Sequence, residues 1–350
     1  MIDVRSDTVT KPTRQMLDAM ICAQVGDDIL GDDPSVKELE ALGASMFQKE
    51  AALFVVSGTM ANQLAVMPHT NRGDEVIVGS DSHIYNLEVG ALAALSQVQA
   101  RPVECVEGRP DPAVFERAIQ EAGIQRTHTG LICLENTYDL NRGYPVPREE
   151  MESIVNLAAN YGVPVYLDGA RIFNAASALG TTVEELTRPV ATLQVCLTKG
   201  LCAPFGSLLI GDGAFIEKAR WLRQRIGGGM RQAGYMAAAA AVALRTMPEQ
   251  IGRDNWNARL LAERIAARIP EIISPHTVKS NIINLDLAQS RVDTEEFYQA
   301  VLEKDVLIKP LGGAHFRMIC HYGIGEPEMD QIVDAIVHAV AKARIHGILT

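Results

Sequence analysis

A regular alternation of short apolar runs with longer helical stretches limits how this chain can fold. The alternation continues through about the first 210 residues, and the stretches at 59–67, 111–121 and 148–161 combine helical spacing with one polar face. Strands separated by such helices predict βαβ units, and therefore a largely parallel sheet covered on both faces. The strand candidates are residues 51–57, 74–80, 129–136, 164–169, 191–198 and 206–211.

The character of the sequence changes after Asp212. The segment GGGMRQAG at 227–234 leads into an alanine-rich run, which predicts one long, closely packed helix. Amphipathic helices, a strand-like run at 281–287 and a last helix from about residue 327 follow, and this order favours a smaller α+β domain. We therefore predict an N-terminal arm, a large domain and a small C-terminal domain, at residues 1–25, 26–249 and 250–350.

Composition and charge argue against several classes of function. A net charge of −11 disfavours a nucleic-acid partner, because a phosphate backbone requires a basic surface. No apolar run approaches the roughly 20 residues of a membrane span, and the polar start MIDVRSDTVTK is not a signal peptide. Six scattered cysteines without a CxxC pair predict a cytoplasmic location, with neither a disulfide framework nor a metal site.

Two residues at predicted strand ends indicate a shared chemistry. Asp168 ends the apolar run at 164–169, and Lys199 follows the run at 191–198. Alone, Asp168 would most simply cap a helix or pair with Arg171, and Lys199 would reach into water. Together, about 30 residues apart, they match the spacing of the ring-nitrogen acid and the Schiff-base lysine of a pyridoxal-phosphate (PLP) site.

The turn VVSGTMANQ offers a binding site for the phosphate of such a cofactor. A strand ends at Ser57 and a helix begins at once, so Gly58 allows close approach and the amides of Thr59 and Met60 lie at a helix N-terminus. Free N–H groups and the helix dipole attract an anion there. Any strand-to-helix turn can contain S-G-T, so the interpretation depends on the acid and the lysine downstream.

His83 and Arg317 are further candidates whose roles the residues alone leave open. His83, in DSHIYN, can stack on the pyridine ring and move protons near neutral pH, or it can be satisfied in a loop. Arg317, in a predicted apolar strand, can bind a substrate carboxylate through two hydrogen bonds or form a structural ion pair.

The ordered set of motifs resembles the low-specificity threonine aldolase branch of the β-eliminating lyase superfamily, over nearly the whole chain. This resemblance implies an aspartate-aminotransferase-like α/β fold (PLP fold type I), with a mostly parallel central sheet and a smaller α+β C-terminal domain. It implies PLP as cofactor and cleavage of the Cα–Cβ bond of β-hydroxy-α-amino acids to glycine and an aldehyde. The motifs are RSDTVTKPT, VGDD, KEAALFVVSGTMANQ, RGDEVI, DSHI, LENT, DGARIFNA, LTKGLCAPFGS and GGGMRQAG.

The same resemblance implies catalytic roles and an assembly. Lys199 would hold the cofactor as a Schiff base, and Asp168 would pair with its ring nitrogen. His83 would stack on the ring and act at the substrate hydroxyl. Members of the family are commonly homotetramers, dimers of dimers, with active sites between subunits.

Binding roles are implied in the same way. Gly58 and Thr59 would bind the cofactor phosphate, and Arg171 would lie at the cofactor as well as the substrate. Ser6, Arg171 and Arg317 would hold the substrate carboxylate.

Three positions depart from the family pattern. Tyr138 stands where a histidine near the substrate hydroxyl is usual, Leu30 replaces a tyrosine, and Thr198 replaces a serine. We therefore expect Tyr138 to contact the substrate, and weak cleavage of L-threonine that improves in Tyr138→His. The alternative is a divergent member that uses the cofactor for β-elimination, transaldol exchange, racemisation or a biosynthetic condensation. Intact Lys199 and Asp168 disfavour a non-catalytic protein.

Overall fold

A computed structural model describes residues 1–138 and 142–344, and in it the predicted apolar runs form strands. The described residues divide into a larger unit, 11–138 with 144–248, and a smaller unit, 1–10 with 142–143 and 249–344. The last six residues of the predicted small domain, 345–350, lie outside the described part of the chain.

The strands are β1 (Ile2–Asp3), β2 (Ala51–Val55), β3 (Glu75–Gly79), β4 (Gln99–Val103), β5 (Thr129–Glu135), β6 (Val165–Asp168), β7 (Thr192–Cys196), β8 (Ser207–Gly211), β9 (Ile282–Asp286), β10 (Val306–Leu307), β11 (Lys309–Gly312) and β12 (His315–Ile319). The helices are α1 (Arg14–Ile21), α2 (Pro34–Met46), α3 (Gly58–His69), α4 (His83–Asn86), α5 (Ala91–Ala94), α6 (Pro112–Ala118), α7 (Arg148–Asn160), α8 (Ile172–Leu179), α9 (Val183–Thr187), α10 (Gly213–Arg225), α11 (Gly234–Thr246), α12 (Pro248–Arg268), α13 (Thr294–Leu302) and α14 (Glu326–Lys342).

Within the described residues, the larger unit contains a sheet of seven strands in the order β2-β8-β7-β6-β5-β3-β4. Strands β3 to β7 pair with their neighbours among themselves in parallel. Strand β8 is antiparallel to both β7 and β2. The predicted α/β class and mostly parallel sheet are therefore confirmed.

Strand β4 has no counterpart among the predicted strands. It lies at the edge of the sheet beside β3, its sequence is QARPV, and only Val103 is buried. An edge strand with little buried surface needs no apolar run, so apolar runs alone do not identify it.

The parallel arrangement brings several strand ends to one edge of the sheet. Asp168 ends β6, Glu135 ends β5, and Cys196 ends β7 three residues before Lys199. His83 begins α4 shortly after β3. In open parallel sheets, the carboxyl ends of the strands form the edge where ligands bind.

The alanine-rich segment forms α11, whose buried alanines, such as Ala237 and Ala243, allow close packing against α1 and α2. The alanine-rich segment is thus one helix, as predicted, and Pro248 begins α12, the first of the helices predicted to follow it. None of the helices described is both long and apolar enough to cross a bilayer.

The smaller unit contains an antiparallel sheet in the order β11-β12-β9, together with α13 and α14. Its core includes Ile283, Phe297 and Ile336. The first ten residues belong to this unit because β1 pairs in parallel with β10, whereas α1 belongs to the larger unit. The N-terminal 25 residues are thus divided between the two units.

Candidate active site

A cavity of about 370 Å³ lies at the carboxyl edge of the parallel sheet, and its lining residues all belong to the larger unit. The fold therefore brings three motifs that are distant in sequence to one place. The six residues predicted to bind the cofactor all line this cavity: Gly58, Thr59, His83, Asp168, Arg171 and Lys199.

The carboxylate of Asp168 is buried and held by three hydrogen-bond donors. Its Oδ1 accepts from Gln194 Nε2 at 2.5 Å and from the Ala170 amide at 3.0 Å. Its Oδ2 accepts from Asn62 Nδ2 at 2.8 Å. Donors on both oxygens fix the orientation of the carboxylate, as is required of an acid that must face a ring nitrogen.

The N-terminus of α3 lies at the same cavity. Ser57 caps the helix, and its Oγ accepts from the Met60 amide at 3.1 Å. The Met60 amide therefore already has a partner, and its role in binding phosphate stays a prediction. The amides of Gly58 and Thr59, the first two of the helix, have no intrahelical partner and fit this role. A Cβ at Gly58 would lie 3.1 Å from Cys196 Sγ, so glycine keeps the space open.

Lys199 lies in the turn that follows β7 and has an unusual backbone conformation. Its φ is 60°, and that of Cys202 three residues later is 64°. Residues other than glycine rarely adopt this left-handed region, which costs about 1–3 kcal/mol at each position. Such strain concentrates at functional sites, where the surrounding structure holds a side chain in place. The backbone conformation of this turn is therefore a second indication, independent of the sequence motif, that Lys199 is a functional residue.

His83 is held from two directions. Its backbone amide donates to Glu135 Oε2 at 2.6 Å, and its Nδ1 lies 3.0 Å from Glu88 Oε1. Its side chain is 35% exposed, whereas that of Glu88 is fully buried. The imidazole is therefore anchored on one side and accessible on the other.

Three polar residues of this region were not singled out from the sequence. Asn62, Glu88 and Gln194 are all buried, and each forms hydrogen bonds with other residues of the site. Asn62 and Gln194 interrupt apolar runs, in MANQLAV and TLQVC. A polar residue inside such a run requires a buried partner, and this is the signal that identifies it.

Tyr138 is placed differently from the expectation that it contacts the substrate. Its ring is buried and lines a separate small cavity with Gly79 and Cys105. Its hydroxyl accepts from the Asp81 amide at 3.0 Å, and burial raises the pKa of the phenol. The tyrosine therefore has a packing role. Of the other two departures from the family, Leu30 is exposed and Thr198 lines the cavity that contains Lys199.

Ser6 and Arg317 belong to the smaller unit. Ser6 caps the short helical turn Asp7–Val9, where its Oγ accepts from the Thr8 amide at 3.2 Å. Arg317 lies in β12, as the sequence predicts for a strand residue, and its Nη2 donates to the Arg5 carbonyl at 3.1 Å. A role for either residue in binding a substrate carboxylate stays a prediction.

Comparison with known proteins agrees with this arrangement. The family model described as beta-eliminating lyase matches residues 3–288. The probable low-specificity L-threonine aldolase 2 of Arabidopsis thaliana is 40% identical over 338 residues, which cover 95% of this chain and 95% of that protein.

Solved structures show the same fold. A threonine aldolase of Leishmania major has a TM-score of 0.81 at 21% identity, covering 97% of this chain and 100% of that chain. The structure of SPT with its PLP internal aldimine has a TM-score of 0.75 at 16% identity, covering 97% of this chain and 87% of that chain. These similarities confirm the predicted PLP fold type I.

Proposed function

The chain belongs to the β-eliminating lyase family, and on that basis we propose that it is a PLP-dependent aldehyde-lyase of the threonine aldolase type. It cleaves the Cα–Cβ bond of β-hydroxy-α-amino acids to give glycine and an aldehyde. The observation that carries this proposal is the convergence of Lys199, Asp168 and His83 on one cavity at the N-terminus of α3.

The residues of the cavity fit PLP. Lys199 supplies an amine, Asp168 supplies an acid for the ring nitrogen, and the first amides of α3, those of Gly58 and Thr59, supply a phosphate site. The Thr137 hydroxyl also belongs to the lining, is buried, and has no hydrogen-bond partner within the described residues. A buried polar atom of this kind is expected where a ligand completes the hydrogen bonds.

When bound, PLP supplies an electron sink for the electron pair that the broken Cα–Cβ bond leaves on Cα. Lys199 holds the cofactor, and Asp168 keeps a proton on its ring nitrogen. His83 takes the proton of the substrate β-hydroxyl as a general base.

We also propose that Ser6, Arg171 and Arg317 bind the substrate carboxylate. Binding at this end of the substrate sets which bond of Cα is placed for cleavage. A guanidinium can bind a carboxylate through two parallel hydrogen bonds, which a lysine cannot reproduce. Arg171→Lys and Arg317→Lys should therefore raise KM for the amino acid more than the Kd for PLP. A variant with unchanged KM would remove that arginine from the proposal.

No observation on the described residues favours β-elimination, transaldol exchange, racemisation or condensation. The departures that suggested such a reaction are Tyr138, which is buried in a separate cavity, and Leu30, which is exposed. Neither lines the cavity that contains Lys199.

The test is a substrate panel with product identification. The PLP-loaded protein is incubated with L-threonine, L-allo-threonine and phenylserine, and the aldehyde and glycine are both quantified, with Lys199→Ala as the control. We expect aldehyde and glycine in equal amounts from at least one substrate, and none with the control. Release of ammonia and a keto acid, or racemisation without aldehyde, would instead identify a different reaction.

We further propose a cytoplasmic homotetramer, a dimer of dimers with active sites between subunits. Exposed apolar side chains support an interface close to the site: Leu87, Leu95 and the 98% exposed Val89 follow His83 in the sequence. The six cysteines are scattered along the sequence without a CxxC pair, which supports a reducing compartment. Light scattering after size-exclusion chromatography should give four times the chain mass, and a monomer mass would contradict the assembly.

A further inference from the structure

We propose that Glu88 is a positioning residue that sets which nitrogen of the His83 ring carries the proton and, through Asn62, fixes the orientation of Asp168. The inference rests on the proposed function, in which His83 takes the β-hydroxyl proton. The structural basis is a continuous chain of hydrogen bonds from His83 through Glu88 and Asn62 to Asp168.

Glu88 is a buried carboxylate surrounded by donors, between α4 and α5. Its Oε1 accepts from Asn62 Nδ2 at 2.6 Å and lies 3.0 Å from His83 Nδ1. Its Oε2 accepts from Gln63 Nε2 at 3.0 Å, and Gln63 is in turn fixed by the Ser96 hydroxyl at 2.8 Å. Within the described residues, no lysine or arginine forms a salt bridge with Glu88. Burial of a carboxylate without a lysine or arginine partner costs free energy, so the presence of a glutamate at this buried position requires an explanation.

The geometry assigns the proton on the His83 ring. Amide donors from Asn62 and Gln63 point at both oxygens of Glu88, so the carboxylate acts as an acceptor and Nδ1 must donate to it. In a neutral imidazole with a proton on Nδ1, Nε2 is the acceptor. No other hydrogen bond of this ring occurs among the described residues, so Nε2 remains available to the cavity.

Asn62 extends the same chain to the acid that faces the cofactor. Its two amide hydrogens are divided between Glu88 Oε1 at 2.6 Å and Asp168 Oδ2 at 2.8 Å. Its carbonyl oxygen accepts from the Tyr166 hydroxyl at 2.6 Å. All three groups of the amide are thus occupied, and loss of Glu88 would leave Asn62 free to turn away from Asp168.

The arrangement matches the requirement of the cleavage step. The β-hydroxyl proton passes to His83 Nε2, the O–H electron pair becomes the second bond of the aldehyde carbonyl, and the Cα–Cβ pair stays with the glycine fragment. Cα then takes up a proton to complete glycine. The ring becomes an imidazolium in this step, and Glu88 stabilises that charge. In serine hydrolases, the acid that is hydrogen-bonded to the catalytic histidine likewise fixes the tautomer of the imidazole and stabilises the imidazolium.

The test compares Glu88→Gln and Glu88→Ala with a matched control. The control is Glu75→Gln, which changes another buried carboxylate, at the amino end of β3, that pairs with Arg101 and not with the site. Solid-state ¹⁵N NMR of histidine-labelled holoenzyme reports the ring nitrogens, and His83 is assigned among the eight histidines by difference with His83→Asn.

At the alkaline end of a titration, His83 should carry its proton on Nδ1 in the wild type and in Glu75→Gln, and Glu88→Ala should populate the Nε2-protonated form. We expect Glu88→Gln to lower kcat by about 10–100-fold, the range typical of residues that orient a catalytic ligand, with much less effect on KM. Glu75→Gln should lower thermal stability and leave kcat unchanged.

Two results would overturn the proposal: protonation of Nε2 in the wild type, or full kcat in Glu88→Gln at equal PLP occupancy. The NMR result does not depend on the substrate. A wild type that has the Nδ1 proton but no aldolase activity would contradict the proposed function and leave the role of Glu88 in positioning His83 supported.

Discussion

Replacement of Asp254 by asparagine should remove a pH dependence of stability from the smaller unit. Asp254 lies in α12 and is fully buried; its Oδ1 accepts from Gln250 Nε2 at 3.3 Å, while its Oδ2 has no partner among the described residues. Burial raises the pKa of this carboxyl from 3.8 to about 7, and repulsion from Asp7 adds to the effect. The folded protein therefore retains this proton between about pH 4 and pH 7, where the unfolded chain has lost it.

The sign and size of the effect follow from linkage. Between the two pKa values only the folded state binds this proton, so the free energy of unfolding falls as pH rises. The stability that the bound proton contributes is lost once the pH exceeds the folded-state pKa. A difference of roughly three pKa units, at about 1.36 kcal/mol each, gives on the order of 4 kcal/mol over the whole range. Between pH 5 and pH 8 the wild type should lose about 3 kcal/mol from this group. Asp254→Asn cannot ionise and should not show this loss.

The assay is urea unfolding from pH 5 to pH 8, followed by the fluorescence of Trp256 in α12. The Trp221→Phe background removes the only other tryptophan of the chain, which lies in α10 of the larger unit. Other titrating groups contribute equally with and without Asp254→Asn, so the difference between the two proteins isolates Asp254. Parallel pH profiles for the two proteins would show that Asp254 does not titrate in this range in the folded protein.

Three further variants test the cavity and its surroundings. Asp168→Asn should lower kcat by about 100-fold or more, because an amide cannot hold the ring proton, and unchanged turnover would remove Asp168 from this role. Gly58→Ala places a Cβ 3.1 Å from Cys196 Sγ and should raise the Kd for PLP about tenfold, whereas Gly213→Ala, whose Cβ meets nothing closer than 3.6 Å, should not. Tyr138→His should lower the Tm and leave aldehyde release from L-threonine no higher, because the phenol is buried outside the cavity; a clear gain in activity would restore the expectation that this position faces the substrate.

The fold could be predicted from the sequence wherever burial covers both faces of a strand. Strands β3, β5 and β7 are buried at almost every position and therefore stand out as continuous apolar runs. Strand β4 is exposed at its edge and has no such run.

The site could be predicted in part. Asp168 lies at the end of one predicted strand and Lys199 directly after another. Because the carboxyl ends of parallel strands meet at one edge of a sheet, a parallel sheet places both residues at that edge. Glu88 could not be placed in the same way, because its importance depends on contacts with Asn62 and His83, from two other elements. Tyr138 was misplaced because a motif fixes a position along the chain and not the direction in which its side chain points.

The residue that carries the cofactor can be identified directly. The PLP-loaded protein is reduced with borohydride, which converts a Schiff base into a stable secondary amine, and its peptides are then analysed by mass spectrometry. We predict a phosphopyridoxyl group on the peptide that contains Lys199, because Lys199 lines the cavity together with Asp168 and the N-terminus of α3. A phosphopyridoxyl group on a different lysine, or none in a protein that releases aldehyde from L-threonine, would contradict this prediction.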